Sequence, residues 1–163
     1  IDLFPRTSIT GTRTLAAGSI YSTGFVPIKS FTLNSVTIVL TGGTTSSIQF
    51  GLFSTSGSII TVVASTSSAV PSGAGSFTAS FSTPQTLTAG QSYAIGFLAV
   101  GGTNPVLVGQ TFSTSNAAIS YGLSPLMTAI SSTTTYSSIP AAGNTIATNV
   151  ATPPVSMAWA RLS

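Results

Sequence analysis

The sequence predicts an all-β protein, a single domain of short antiparallel strands arranged as a sandwich or barrel, and three observations lead there. Ser and Thr supply 28 and 27 of the 163 residues, whereas good helix formers are scarce, with no Glu, one Lys and two Met. Hydroxyl-bearing and β-branched side chains disfavour helix interiors and suit strands and turns. Apolar residues alternate with polar ones in short runs, and clusters of Gly, Pro and Ser fall between the runs. Leu, Ile, Val and Phe number 44, enough for a chain of this length to bury a core without metal or disulfide.

Along the chain, residues 1–13 read as an N-terminal arm, holding three of the five charges and the pair Phe4-Pro5. Residues 14–163 read as one β-sandwich domain. Hydroxyl and apolar residues alternate from Ser35 to Thr41. Ile48, Phe50 and Leu52 share one strand face, as do Phe77, Ala79 and Phe81, then Tyr93, Ile95 and Phe97, and finally Val155, Met157 and Trp159. Gly42-Gly43, Ser56-Gly57, Pro71-Ser72-Gly73, Ala89-Gly90, Gly101-Gly102 and Pro153-Pro154 punctuate these runs. Trp159, at strand parity with Val155 and Met157, is expected in the core. Residues 124–154, rich in Ser, Thr, Ala and Pro with few alternating apolar positions, read as an extended loop or arm lying on the sandwich or on a neighbour.

One pattern occurs twice. Residues 14–25 and 86–97 share T-L-x-A-G-x-x-Y-x-x-G-F at an offset of 72, and I-x-[FY]-G-L occurs at 48–52 and 119–123. The echo is either turn-into-strand chemistry repeated in a simple sequence or two related halves of a sandwich. In both cases each copy is expected to be a Gly-containing tight turn feeding a strand, with Tyr21 and Tyr93 in the core and their hydroxyls bonded at an edge.

The inventory of reactive groups excludes most enzymes. There is no His, Glu or Cys, and Asp2 is the single acid. No Ser-His-Asp or Cys-His set, carboxylate pair or zinc site can be assembled from such a chain. Lys29, the only lysine, sits in a Ser/Thr-rich strand pattern without a catalytic motif around it. Phosphate-binding glycine motifs are missing. No catalytic residue, cofactor or metal ligand is therefore expected. The net charge of +3 comes from Arg6, Arg13, Lys29 and Arg161, which form no basic cluster, so no nucleic-acid partner is expected. The longest nearly apolar stretch, 93–102, is far too short for a membrane-spanning helix. The first residue is Ile1 rather than Met, from which a removed or unshown leading segment is expected.

Charged residues make up 3% of the chain, against about 25% in ordinary soluble domains. Such a surface suits a subunit covered by copies of itself or by a larger assembly. Little charge is present to keep strand edges apart. Phe4, Arg6 and Arg13 are the candidate assembly contacts, the two arginines as anchors of the arm on an acidic partner. Two other functions fit the inventory. A carbohydrate- or receptor-binding module needs an exposed aromatic shelf beside amides such as Gln49, Gln91, Gln110 or Asn104. A filament subunit would donate residues 1–13 as a strand to a neighbour's sheet.

The run Ile48-Gln49-Phe50-Gly51-Leu52-Phe53-Ser54, followed by Ile60-Thr61-Val62-Val63-Ala64-Ser65-Thr66 and by Pro84-Gln85-Thr86-Leu87-Thr88-Ala89-Gly90-Gln91-Ser92-Tyr93-Ala94-Ile95-Gly96, resembles a known pattern. It is similar to the "GLYS…LVAST…TLxAGxYWxA" run in β-sandwich domains of tailed-bacteriophage virion proteins. These are capsid decoration or head-fibre proteins and minor tail or tail-fibre proteins. Leu3-Phe4-Pro5-Arg6 and the closing segment from Pro154 to Leu162 are also similar to that group. The chain departs from the pattern at Tyr93-Ala94, where a Tyr-Trp pair is usual, and in its poverty of Asp and Lys. The resemblance implies a jelly-roll-like sandwich and a virion protein that works without catalysis as a decoration, cement or fibre subunit. It further implies a homo-oligomer, a trimer above all, that contacts other virion proteins such as the major capsid protein. It assigns no functional residue, because the motif encodes strands and turns.

Overall fold

The computed structural model describes residues 1–3, 9–42, 44–56, 59–112, 130–150 and 155–163. The first half of the chain forms β1 (Gly11–Thr14), β2 (Ile20–Phe25), β3 (Phe31–Leu40), β4 (Ser47–Ser56), β5 (Ile59–Ser65) and β6 (Gly75–Leu87). The second half forms β7 (Tyr93–Val100), β8 (Val106–Phe112), β9 (Ile130–Ser132), β10 (Thr145–Ile146), β11 (Thr148–Val150), β12 (Val155–Ala158) and β13 (Arg161–Leu162). No helix occurs among the described residues. All pairings are antiparallel and fall into two sheets, the arrangement of an antiparallel β-sandwich. The first sheet joins β1, β8, β3, β13, β12 and β6, and the second runs β10-β5-β4-β7-β2-β9-β11.

Period-2 alternation builds the main core. Leu33, Val36, Ile38 and Leu40 of β3 face Ile48, Phe50 and Leu52 of β4 and Ile95, Phe97 and Ala99 of β7. Phe50 meets the Phe97 ring edge-on at 5.9 Å and the Phe77 ring at 5.7 Å. Trp159 is buried, 3% exposed.

The second sheet carries a further core on its other face. Ile20, Phe53, Ile60, Val62, Ala94 and Leu98 point away from the first sheet and pack with Ile139 and Ile146. The strand order explains how this face is covered. In a flat seven-stranded sheet the outermost strands would lie about 29 Å apart, yet β10 and β11 are separated in sequence by Ala147 alone, a reach of about 7 Å. The sheet therefore curls until its two ends meet at Ala147, whose C=O accepts from Thr133 N–H at 3.1 Å as the β9–β11 pairing continues.

Residues 133–143 cap one end of the curl. Tyr136 N–H donates to Gly18 C=O at 2.7 Å, Ile139 N–H to the Gln49 side-chain oxygen at 2.8 Å, and Gly143 N–H to Val62 C=O at 2.8 Å. Gln49 is buried and donates its other amide end to Thr66 C=O at 2.9 Å. The Phe53 ring lies over the paired glycines Gly51 and Gly96. A Cβ on Gly51 would sit 2.7 Å from the ring, and one on Gly96 would drive into it.

The described part of the segment expected as an extended loop, 130–150, thus holds three short strands and a cap over the curled sheet. The first residues pair within the sandwich as well. Leu3 N–H donates to Ala160 C=O at 2.9 Å, Thr10 N–H to Gly109 C=O at 3.1 Å, and β1 pairs along β8.

Both copies of the repeated pattern adopt one turn. Gly18 and Gly90 each have φ 77°, a left-handed conformation open to Gly at little steric cost. The Tyr21 hydroxyl accepts from Ala16 N–H at 3.4 Å, and the Tyr93 hydroxyl from Thr88 N–H at 3.2 Å. The two strands then pair with each other, Tyr21 opposite Phe97 and Phe25 opposite Tyr93, as a local two-fold axis between β2 and β7 requires. The shorter echo cannot be compared in the same way, because 119–123 lie outside the described residues.

Candidate assembly surface

Of the sequence-predicted contacts, Phe4 and Arg6 lie outside the described residues. Arg13 lies on β1, at the margin of the first sheet. Its guanidinium stacks 4.3 Å above the Tyr21 ring, joining the two sheets along that side. Its Nε is buried without a hydrogen-bond partner among the described residues. Cation–π stacking of this kind is worth about 0.5–2 kcal/mol. Arg161 pairs with Asp2 at 3.0 Å, the two side chains 47% and 23% exposed. Lys29 is exposed beside the fully exposed Ile28, on the loop between β2 and β3.

The structure does not gather these charges into a site. Among the described residues no group of three or more His, Cys, Asp or Glu side chains occurs. Of the amides named as possible sugar donors, Gln49 is buried and structural, whereas Gln91 and Asn104 are exposed on separate loops. The exposed large apolar side chains among the described residues are Ile1, Ile28, Ile59 and Val70, all aliphatic.

What the fold does assemble is a hydroxyl-covered face. On the outer side of the first sheet, Thr12 and Thr14 of β1, Thr32 of β3, and Ser76, Thr78 and Ser80 of β6 are exposed. Register places Thr32 opposite Thr86, Ser35 opposite Ser80 and Thr37 opposite Thr78, and the last two hydroxyls are 2.7 Å apart. Such a face hydrogen-bonds mainly through neutral groups; Arg161, in register beside Thr37, is balanced by its pair with Asp2, so little net field repels a copy of the face. The sequence signal was present in the alternation of β3. It is the pairing with β6 that turns scattered hydroxyls into a surface.

No protein-family model matches the sequence, and no curated protein matches it. The class that the fold defines is the all-β protein with two antiparallel sheets.

Proposed function

We propose that this chain is a non-enzymatic structural component of a bacteriophage virion, a capsid decoration or fibre subunit that works by self-association and by packing on other virion proteins. The observation that carries the proposal is the hydroxyl-lined outer face of the first sheet, where exposed Arg161 is paired with Asp2, and which stays open at both margins among the described residues while the second sheet curls end to end. Two further points support it. The chain has one acid and no His or Cys, so chemistry at this surface would have almost nothing to work with. The sequence also resembles β-sandwich virion proteins, whose jelly-roll-like organisation belongs to the same proposal. Mechanically the role is passive: the closed sheet supplies a rigid body, and the open sheet supplies contacts that repeat over many copies.

Two measurements test this. Light scattering on the purified chain is expected to give a stable multiple of the 16.3 kDa subunit, and antibodies against the chain are expected to label intact phage particles. A monomer at all concentrations, with unlabelled particles, would overturn the proposal.

A further inference from the structure

The free margin of β6 has a defined chemistry. On β3, Ser35 bonds Ser163 through both its N–H and its C=O, Asn34 N–H reaches the same carbonyl, and Thr41 N–H reaches Val106 C=O. Thr37 pairs with Arg161 of β13 on the same side, so the backbone groups of the odd-numbered residues 35, 37 and 41 point away from β6. Successive residues of a strand direct their N–H and C=O to opposite sides. Register sets Val36 opposite Ala79, Ile38 opposite Phe77 and Leu40 opposite Gly75, so these pairs carry the β3–β6 hydrogen bonds. Ser76, Thr78 and Ser80 then point their N–H and C=O outward, and no described residue pairs with them.

The strip is short and bounded. At Phe81 the margin meets Thr66 in an isolated bridge, and residues 81–84 bulge out of register opposite Asn34. Pro84 within the bulge has no N–H to offer. No charged residue occurs in β6, so the usual guard of a strand edge is absent. On its core side Phe77 and Ala79 remain only half-buried, packed against the main core but open laterally.

We infer that β6 is a self-docking edge. It pairs antiparallel with β6 of a second copy about a two-fold axis at Thr78, which joins the first sheets of two subunits into one. This rests on the self-association proposed above and specifies its contact. With Thr78 opposite its own copy, Ser76 faces Ser80 of the second chain, and each copy contributes three outward donors and three outward acceptors. Phe77 of each chain comes opposite Ala79 of the other, so the half-buried core margin is covered with a large residue against a small one. On the outer face only hydroxyls meet. The bulge at 81–84 stops further pairing, so the product is a discrete even-numbered assembly rather than an open fibre.

The test is the light-scattering mass of the full chain as a function of concentration, beside Thr78→Pro, Thr78→Lys and Thr37→Lys. Thr78→Pro removes an outward N–H that no described residue uses and leaves the β3 ladder intact. Thr78→Lys sets two like charges across the axis, and Thr37→Lys puts the same charge one strand inward as a control. The wild type is expected at an even multiple of the subunit mass. Both Thr78 variants are expected to raise the dissociation constant at least about a hundredfold, with circular dichroism unchanged. The control is expected to assemble normally. An assembled wild type whose folded Thr78 variants keep their mass would overturn the β6 contact and leave self-association standing. A monomeric wild type would overturn both. Should Thr78→Pro not fold, the two lysine variants decide alone.

Discussion

The second sheet ends where it begins, β10 joined to β11 through Ala147, whereas the first stops at β1 on one side and β6 on the other. Curling gives the second sheet two buried faces and brings its two ends together. It also demands small or satisfiable residues inside, which Gly51, Gly96, Ala94 and the doubly bonded Gln49 supply. The first sheet buries one face and leaves hydroxyls on the other. Under the proposed function the difference separates two tasks within one small chain: the curled sheet supplies a body buried on both faces, and contact with other molecules falls to the open one.

The contrast breaks most sharply at Phe53. Phe53→Ala empties the curled core and is expected to lower the unfolding free energy by about 3–5 kcal/mol in urea titration. Gly96→Ala attacks the same spot by overfilling and is expected to lose about 1–3 kcal/mol. In the Phe53→Ala background that loss should largely vanish, because the ring that a Cβ would strike is gone, and a double-mutant cycle reads the coupling directly.

Gln49→Met keeps the volume but leaves Ile139 N–H and Thr66 C=O unpaired. A loss of about 1–3 kcal/mol is expected, with amides of 133–143 exchanging sooner than those of β4 and β7 in hydrogen exchange.

The repeated turns sharpen the comparison within the second sheet. Gly18 and Gly90 share one φ, yet a Cβ on Gly18 would run into Thr135 of the cap, whereas nothing lies within 4 Å of one on Gly90. Gly90→Ala is expected to lose about 1–2 kcal/mol for the left-handed conformation alone. Gly18→Ala should lose more, and the difference, read from thermal midpoints, isolates the contact with the cap. The smallest effect belongs to the exposed Asp2–Arg161 pair: Arg161→Ala is expected to change stability by less than about 1 kcal/mol, shrinking further with added salt.

Legibility in the sequence followed burial. Strands with one wet face announced themselves, as in the alternation of 35–41 that became part of β3. In β4 and β7 only one face was legible. Ile48, Phe50 and Leu52 read as inward, but Gln49 and Gly51 opposite them are buried too. Glycine and glutamine carry no apolar signal, so the second core was hidden in residues that look like turn or surface. The repeat was legible as a turn and a tyrosine, because both are local. The antiparallel pairing of its copies depends on contacts 72 residues apart. Residues 130–150 lack alternation because their short strands gain stability from the neighbours they cap. For the candidate assembly surface, the low charge was evident from composition, but which margin stays open depends on pairing. Arg13 was marked by the rarity of charge, while its stacking on Tyr21 was not foreseeable from spacing.

Residue-resolved amide hydrogen exchange on β6 tests the division between open and closed sheets most directly, with the wild-type chain compared between assembled and diluted samples. Gly75, Phe77 and Ala79, bonded to β3, should be protected in both. Ser76, Thr78 and Ser80 should be protected only in the assembled sample and exchange freely on dilution or in Thr78→Lys. Rapid exchange of these three amides in a fully assembled sample would contradict the account, because the open margin of the first sheet would then carry no contact.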